Sequence, residues 1–171
     1  RGIVHEDDYQ LVLVDTPGLH KPRTLLGSRL NDLVVATLSE VDVIGFCLPA
    51  DEPIGPGDRY IASQLALLDG RTPIVALVTK VDTVSQEKVA EALLAVGELA
   101  DFADVVPVSA VDGFQVDTVG QVLASHLPVS PPLYPEGELT DEPEEVMIAE
   151  LVREAALEGV RDELPHSLAV Q

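Results

Sequence analysis

Three short clusters in this 171-residue chain combine residue types suited to work on a phosphate and a purine. They are Asp15-Thr16-Pro17-Gly18, Thr79-Lys80-Val81-Asp82 and Ser109-Ala110. An aspartate at the end of a buried strand can hold Mg²⁺, usually through water, because that ion sheds its hydration shell reluctantly. Gly18 lets the backbone come close to a terminal phosphate and offer it an N–H, which could report whether that phosphate is present. The Asp82 carboxylate can accept two hydrogen bonds from the N1–H and N2 amino groups of guanine. Adenine lacks that donor pair, so a buried aspartate facing it stays unpaired, a difference that supports discrimination of roughly 10⁴-fold or more. The Lys80 stem can lie along a base face with its ammonium solvated, and the Ala110 N–H can address the guanine O6. Taken singly each cluster is weak, since Asp-Thr-Pro-Gly also makes an ordinary turn. Their order and their placement after three separate strands carry the reading.

Those strands come from the pattern around the clusters. Ile3-Val4-His5 and Tyr9 to Val14 flank the polar Glu6-Asp7-Asp8, which predicts a hairpin. The continuously apolar Leu11 to Val14 predicts a strand covered on both faces. A helix is predicted from about Thr24 to Glu40, with Leu26, Leu30, Leu33, Val34 and Leu38 at helical spacing. Regular alternation follows: strand Val41 to Leu48, helix Pro56 to Leu68, strand Pro73 to Val78, helix to Ala100 capped by Ser85, strand Val105 to Val108 and helix Val116 to Leu127. Strands alternating with helices predict an α/β fold with a mostly parallel sheet and helices on both faces. Ligands then bind beyond the carboxyl ends of the strands, so all three clusters belong on one edge.

Residues 128–143 hold five prolines and no clear period, which predicts an extended linker. Beyond it Glu144 to about Arg161 predicts a helix, with Thr140 or Asp141 as its cap and Ile148, Leu151, Val152 and Ala155 as its apolar face. Eleven acids and two arginines lie between Glu136 and Glu163, the pattern of a solvated helix face. The whole chain carries a formal charge of −20, with three lysines and no basic cluster, so nucleic-acid binding by these residues themselves is disfavoured. A single cysteine, Cys47, excludes a disulfide framework and a multi-cysteine zinc site, and its place in an apolar strand predicts an inert core residue. His5, His20, His126 and His166 show no metal-ligand spacing, and no apolar run is long enough to span a bilayer.

The clusters resemble the third, fourth and fifth motifs of P-loop GTPases of the translation-factor class. Asp15 to Pro22, Val106-Pro107-Val108-Ser109-Ala110 and Asp162-Glu163-Leu164-Pro165-His166-Ser167 together are similar to the Era-type GTPases, bacterial ribosome-assembly proteins with a C-terminal KH RNA-binding domain. The resemblance implies a Rossmann-like, mostly parallel sheet preceded by an antiparallel hairpin and lacking its central first strand. It divides the chain into a partial GTPase domain over 1–127, a Pro-rich linker over 128–143, and the first helix and strand of a truncated KH domain over 144–171. It also implies GTP and GDP as ligands, Mg²⁺ held by Asp15, nucleotide contacts from Asp15, Thr16, Pro17, Gly18, Leu19, Thr79, Lys80, Val81, Asp82, Ser109 and Ala110, and a cytoplasmic setting. The partners it implies are 16S rRNA and the small ribosomal subunit, reached through the KH domain, with room for a peripheral membrane association.

The chain departs from the family pattern in places. Thr79 stands where the family has Asn, which weakens the brace to neighbouring loops. Leu19 stands where many GTPases orient water with Gln, so intrinsic hydrolysis is expected to be slow. No Gly-x-x-x-x-Gly-Lys-[Ser/Thr] and no Gly-x-x-Gly clamp occurs. The expectation is a piece cut at both ends, inactive alone, with its phosphate loop upstream of Arg1. The contrasting reading is a non-enzymatic flavodoxin-like module whose acidic edge binds a partner.

Overall fold

The computed structural model describes residues 1–16, 34–68, 72–140 and 143–157. Expectations for Pro17, Gly18, Leu19 and His20, for most of the first predicted helix, and for the segment from 158 to 171 fall outside these residues. The described chain divides into two compact units, one formed by residues 15–131 and the other by residues 1–14 with 132–171.

The larger unit is built on three parallel strands, β3 (Ile44–Pro49), β4 (Ile74–Thr79) and β5 (Asp104–Pro107), in that spatial order. Their β-branched and apolar composition suits a buried sheet, and the parallel pairing follows from the helices between them. These are α1 (Pro56–Leu65), α2 (Gln86–Leu99) and α3 (Val116–Ser125). Pro56 opens α1, where its missing N–H costs nothing, and the Asp58 carboxylate accepts the Gly55 N–H at 2.8 Å. Ser85 caps α2 as expected, its Oγ accepting the Lys88 N–H at 3.4 Å.

One face of the sheet packs Ile44, Phe46, Leu48, Ala76 and Val78 against Ala62 and Leu65 of α1 and Val96 of α2. Phe46 meets Phe102 with ring centroids 6.1 Å apart and planes tilted by 49°. The other face behaves differently. On β3 burial alternates strictly, so Gly45 and Cys47 are exposed while their neighbours are buried. The expected core cysteine is therefore corrected: strand alternation sends Cys47 to the face opposite the core that α1 and α2 cover.

In the smaller unit β1 (Gly2–His5) and β2 (Gln10–Leu13) form the expected antiparallel hairpin, with Ile3 opposite Val12 and His5 opposite Gln10. Leu11 is buried, but Leu13 and Val14 are exposed, so the expected cover on both faces of this strand is corrected. Among its described residues the Pro-rich segment forms no helix or strand. Residues 133–140 are hydrogen-bonded to the hairpin: the Ile3 N–H donates to the Leu139 carbonyl at 2.8 Å and the Thr140 hydroxyl to the Arg1 carbonyl at 2.7 Å. Gly137, at φ +92°, turns the segment by taking a conformation that costs a residue with a Cβ. Helix α4 (Glu144–Leu157) follows, and its expected apolar residues Ile148, Leu151 and Val152 are exposed.

Candidate functional site

All the described motif residues lie in the larger unit, on loops leaving strand ends. β4 ends at Thr79, whose carbonyl accepts the Ala50 N–H at 2.8 Å and so stays level with the end of β3. Lys80 then turns the chain in the left-handed region, at φ 56° and ψ 34°. A non-glycine residue there costs about 1–2 kcal/mol, so the surroundings must enforce it. They do: the Lys80 carbonyl accepts both the Thr83 N–H at 3.1 Å and the Thr83 hydroxyl at 2.8 Å, closing a 3₁₀ turn over Val81–Thr83. The Lys80 ammonium lies 3.4 Å from the Asp51 carboxylate just beyond β3.

The third cluster is tied to the second. The Val108 N–H donates to the Val78 carbonyl at 2.8 Å, and the Val81 N–H to the Val108 carbonyl at 3.5 Å. Ser109 is completely buried. Its N–H donates to the Phe114 carbonyl at 3.0 Å, and its Oγ accepts the Asp112 N–H at 3.4 Å. Asp112 in turn accepts the Phe114 N–H at 3.1 Å. The Ser109 hydroxyl and the Phe114 N–H hold the Asp112 carboxyl below its usual range. Ser109 thus shapes the loop, and exposed Ala110 is the member of the pair presented outward.

Asp82 is exposed. The expectation of a carboxylate already buried by the protein is corrected: a one-turn 3₁₀ helix at a strand end has no second layer to cover it. The Val81–Val108 bond keeps the Asp82 turn beside the Ser109 cluster. In the first cluster Asp15 is exposed and Thr16 half-buried. The Cys47 thiol is raised, first by partial burial of its sulfur against the sheet and second by the charge of Asp15. Cys47 is solvent-accessible as a residue, so this burial is one-sided.

A cavity of about 230 Å³ lies between the ends of β3 and β4, α1 and α2, bordered by Ala50, Ile54, Asp58, Lys88 and Val96. No motif residue lines it, so it is not the site. Two residues escaped the sequence reading: Asp51, which pairs with Lys80, and Asp112, which locks the Ser109 loop. Asp51 also follows a parallel strand, so the same strand-end rule could have found it.

No family model matches the chain. It is 67% identical over 171 residues to GTPase Era of Mycobacterium avium, and 65% identical over 171 residues to GTPase Era of Mycolicibacterium smegmatis. In both comparisons 99% of this chain is aligned. The chain belongs to the Era family. It spans 57% of the length of these Era relatives. Among solved structures it is similar to Era in complex with MgGDPNP and nucleotides 1506–1542 of 16S ribosomal RNA, at TM-score 0.80 and 29% identity, covering 97% of this chain and 56% of that one. A variant of Aquifex aeolicus Era bound to GDP.AlF4- gives TM-score 0.77 at 29% identity, with the same coverage. The α/β architecture seen here is that of these Era structures. The elongation factor SelB of Methanococcus maripaludis shares the fold at 20% identity and TM-score 0.59 over 80% of this chain and 29% of that one.

Proposed function

We propose that this chain supplies the base-reading and switch strands of an Era-type GTPase. The whole protein binds GTP with Mg²⁺, hydrolyses it to GDP and phosphate, and uses the cycle as a cytoplasmic switch in assembly of the small ribosomal subunit. The observation that carries the reading is the junction of two motifs, Thr79–Asp82 and Ser109–Ala110, by the Val81–Val108 hydrogen bond at the carboxyl edge of the sheet. The Era names of the relatives and the 16S rRNA bound in one similar structure support it.

Asp82 reads the N1–H and N2 amino groups of guanine, the Lys80 stem flanks the base, and the Ala110 N–H addresses O6. Asp15 organises Mg²⁺, and Gly18, with Pro17 and Leu19 beside it, senses the terminal phosphate. A single exposed carboxylate fits a metal held through water and by the nucleotide's phosphates, and no group of three metal-ligating side chains occurs among the described residues. No described motif residue is placed as a proton-transferring base, so this part of the protein contributes by positioning and electrostatics. The proposed domains are a G domain over 1–127, a linker over 128–143 and a KH entrance over 144–171, the KH domain being the contact with rRNA. Any association with a membrane is proposed to be peripheral; no helix among the described residues is long and apolar enough to cross one.

The test is Asp82→Asn in a version of the protein carrying a Gly-x-x-x-x-Gly-Lys-[Ser/Thr] loop. Guanine-nucleotide affinity should fall by about 10³-fold and xanthine nucleotides should become preferred, because an amide cannot accept both donors of guanine. Equal affinity of the unsubstituted protein for guanine and adenine nucleotides would overturn the reading in favour of an interaction module. The 171-residue chain alone should bind GDP only weakly, and micromolar binding by isothermal titration would contradict the missing phosphate loop.

A further inference from the structure

Several hydrogen bonds join residues 133–140 to the hairpin, and one side chain, Gln10, makes three of them. The Gln10 Oε1 accepts the N–H groups of Leu133 at 2.8 Å and Tyr134 at 3.0 Å. Its Nε2 donates to the Tyr134 carbonyl at 2.9 Å and lies 3.3 Å from His5 Nδ1. The carboxamide thus uses both lone pairs and both hydrogens, and flipping it would set its NH₂ against two backbone donors. His5, directly across the hairpin from Gln10, continues the chain of contacts: with its proton on Nε2 it accepts from Gln10 and donates to the Glu138 carbonyl at 2.6 Å. Between these anchors the Glu138 N–H closes a turn on the Pro135 carbonyl at 3.3 Å. Leu133 and Leu139 are 76% and 72% exposed, so apolar burial of the segment's leucines does not hold it down.

Gln10 begins β2, and β2 runs directly into Asp15. The segment it holds runs, within a few residues, into α4. The hairpin is therefore the common element between the strand that feeds the phosphate-facing cluster and the strap that feeds the acidic helix. We propose that Gln10 is a positioning residue: it clasps residues 133–140 to β2, so that a shift of the Asp15 segment with nucleotide state is passed to the strap. This rests on the nucleotide reading above and adds to it the residue that transmits the state.

The experiment is amide hydrogen exchange over residues 132–140 of the whole protein, loaded with GDP or with a non-hydrolysable GTP analogue, alongside titration of each nucleotide. Strap exchange in the unsubstituted protein should differ several-fold between the two states. Gln10→Leu removes every donor and acceptor, so the Leu133 and Tyr134 amides should exchange about tenfold faster and identically in both states, with GDP affinity within twofold. Gln10→Glu keeps the acceptor for both amides but sets a carboxylate oxygen against the Tyr134 carbonyl, so it should retain part of their protection, more than Gln10→Leu, which a merely space-filling role would not predict. Nucleotide binding without any strap response, or full protection in Gln10→Leu, overturns the coupling alone. Failure of either nucleotide to bind overturns the proposed function and the coupling together.

Discussion

In the parallel-sheet unit Val75, Ala76 and Val78 have no exposed surface, whereas in the hairpin unit Leu13 is 47% and Leu139 72% exposed. The first unit is held by an apolar core and uses hydrogen bonds to shape its loops. The second combines two buried side chains, Ile3 and Leu11, with the Gln10 and His5 contacts and a few backbone bonds. A buried side chain contributes about 1.5–3 kcal/mol, whereas an exposed hydrogen bond contributes near 1 kcal/mol. The sheet unit, with its larger core, should therefore open locally at a higher cost than the hairpin with its strap.

The contrast can be broken most directly in the core. Phe46→Ala removes the largest side chain packed between β3 and Phe102 and should destabilise the sheet unit by about 3–5 kcal/mol in urea unfolding. A loss below about 1 kcal/mol would show that the face covered by α1 and α2 is not a closed core. Ser109→Ala comes next, at about 1–3 kcal/mol, because it leaves the Asp112 N–H in a half-closed loop without its acceptor. The same change removes the first cause of the lowered Asp112 carboxyl, so its titration by carbon-detected NMR should move up toward the ordinary carboxylate range.

The acid limb of stability sharpens the picture further. Asp112 and Glu87 are both lowered, Asp112 by Ser109 and Glu87 by its own N–H and the Ser85 hydroxyl. Groups with lowered values stabilise the fold above the ordinary carboxylate range and lose that contribution as pH falls through their folded values. Circular dichroism at decreasing pH should therefore show this contribution to the sheet unit fading from the ordinary carboxylate range downward. Both groups are exposed, so the effect is small. Cys47 gives a kinetic readout: its raised thiol should alkylate more slowly than a free thiol at neutral pH. Asp15→Asn should speed the reaction by about twofold by removing the second of its two causes. The smallest change belongs to the hairpin unit, where Leu139→Ala should alter stability by less than about 0.5 kcal/mol.

Much of the sheet unit was legible in the sequence because its signals are local. Ser85 caps α2, Pro56 opens α1, and the three strands match the apolar runs to within a few residues. The three clusters could be assigned to strand ends for the same reason. Two of the corrected expectations show where period alone is silent. Cys47 sits in an apolar run, yet strand alternation places it on the face that is left open over β3. Asp82 sits after a buried strand, yet the left-handed turn at Lys80 carries it outward. The prolines mark residues 128–143 as a segment without helix or strand period, but nothing in its composition names Gln10, 123 residues earlier, as a partner of Leu133.

From its residues alone the chain determines which segments are strands and helices, where polar clusters interrupt them, and which chemistry those clusters suit. Periodicity, caps and turn residues act over a few positions, and so does the steric and hydrogen-bonding chemistry behind them. Only the tertiary structure decides which side of β3 meets the core, how Val81 and Val108 join two motifs, and that a glutamine in the first hairpin binds residues 133 and 134. Those outcomes depend on pairings between residues far apart in sequence, whose free energies exist only once the chain has brought them together.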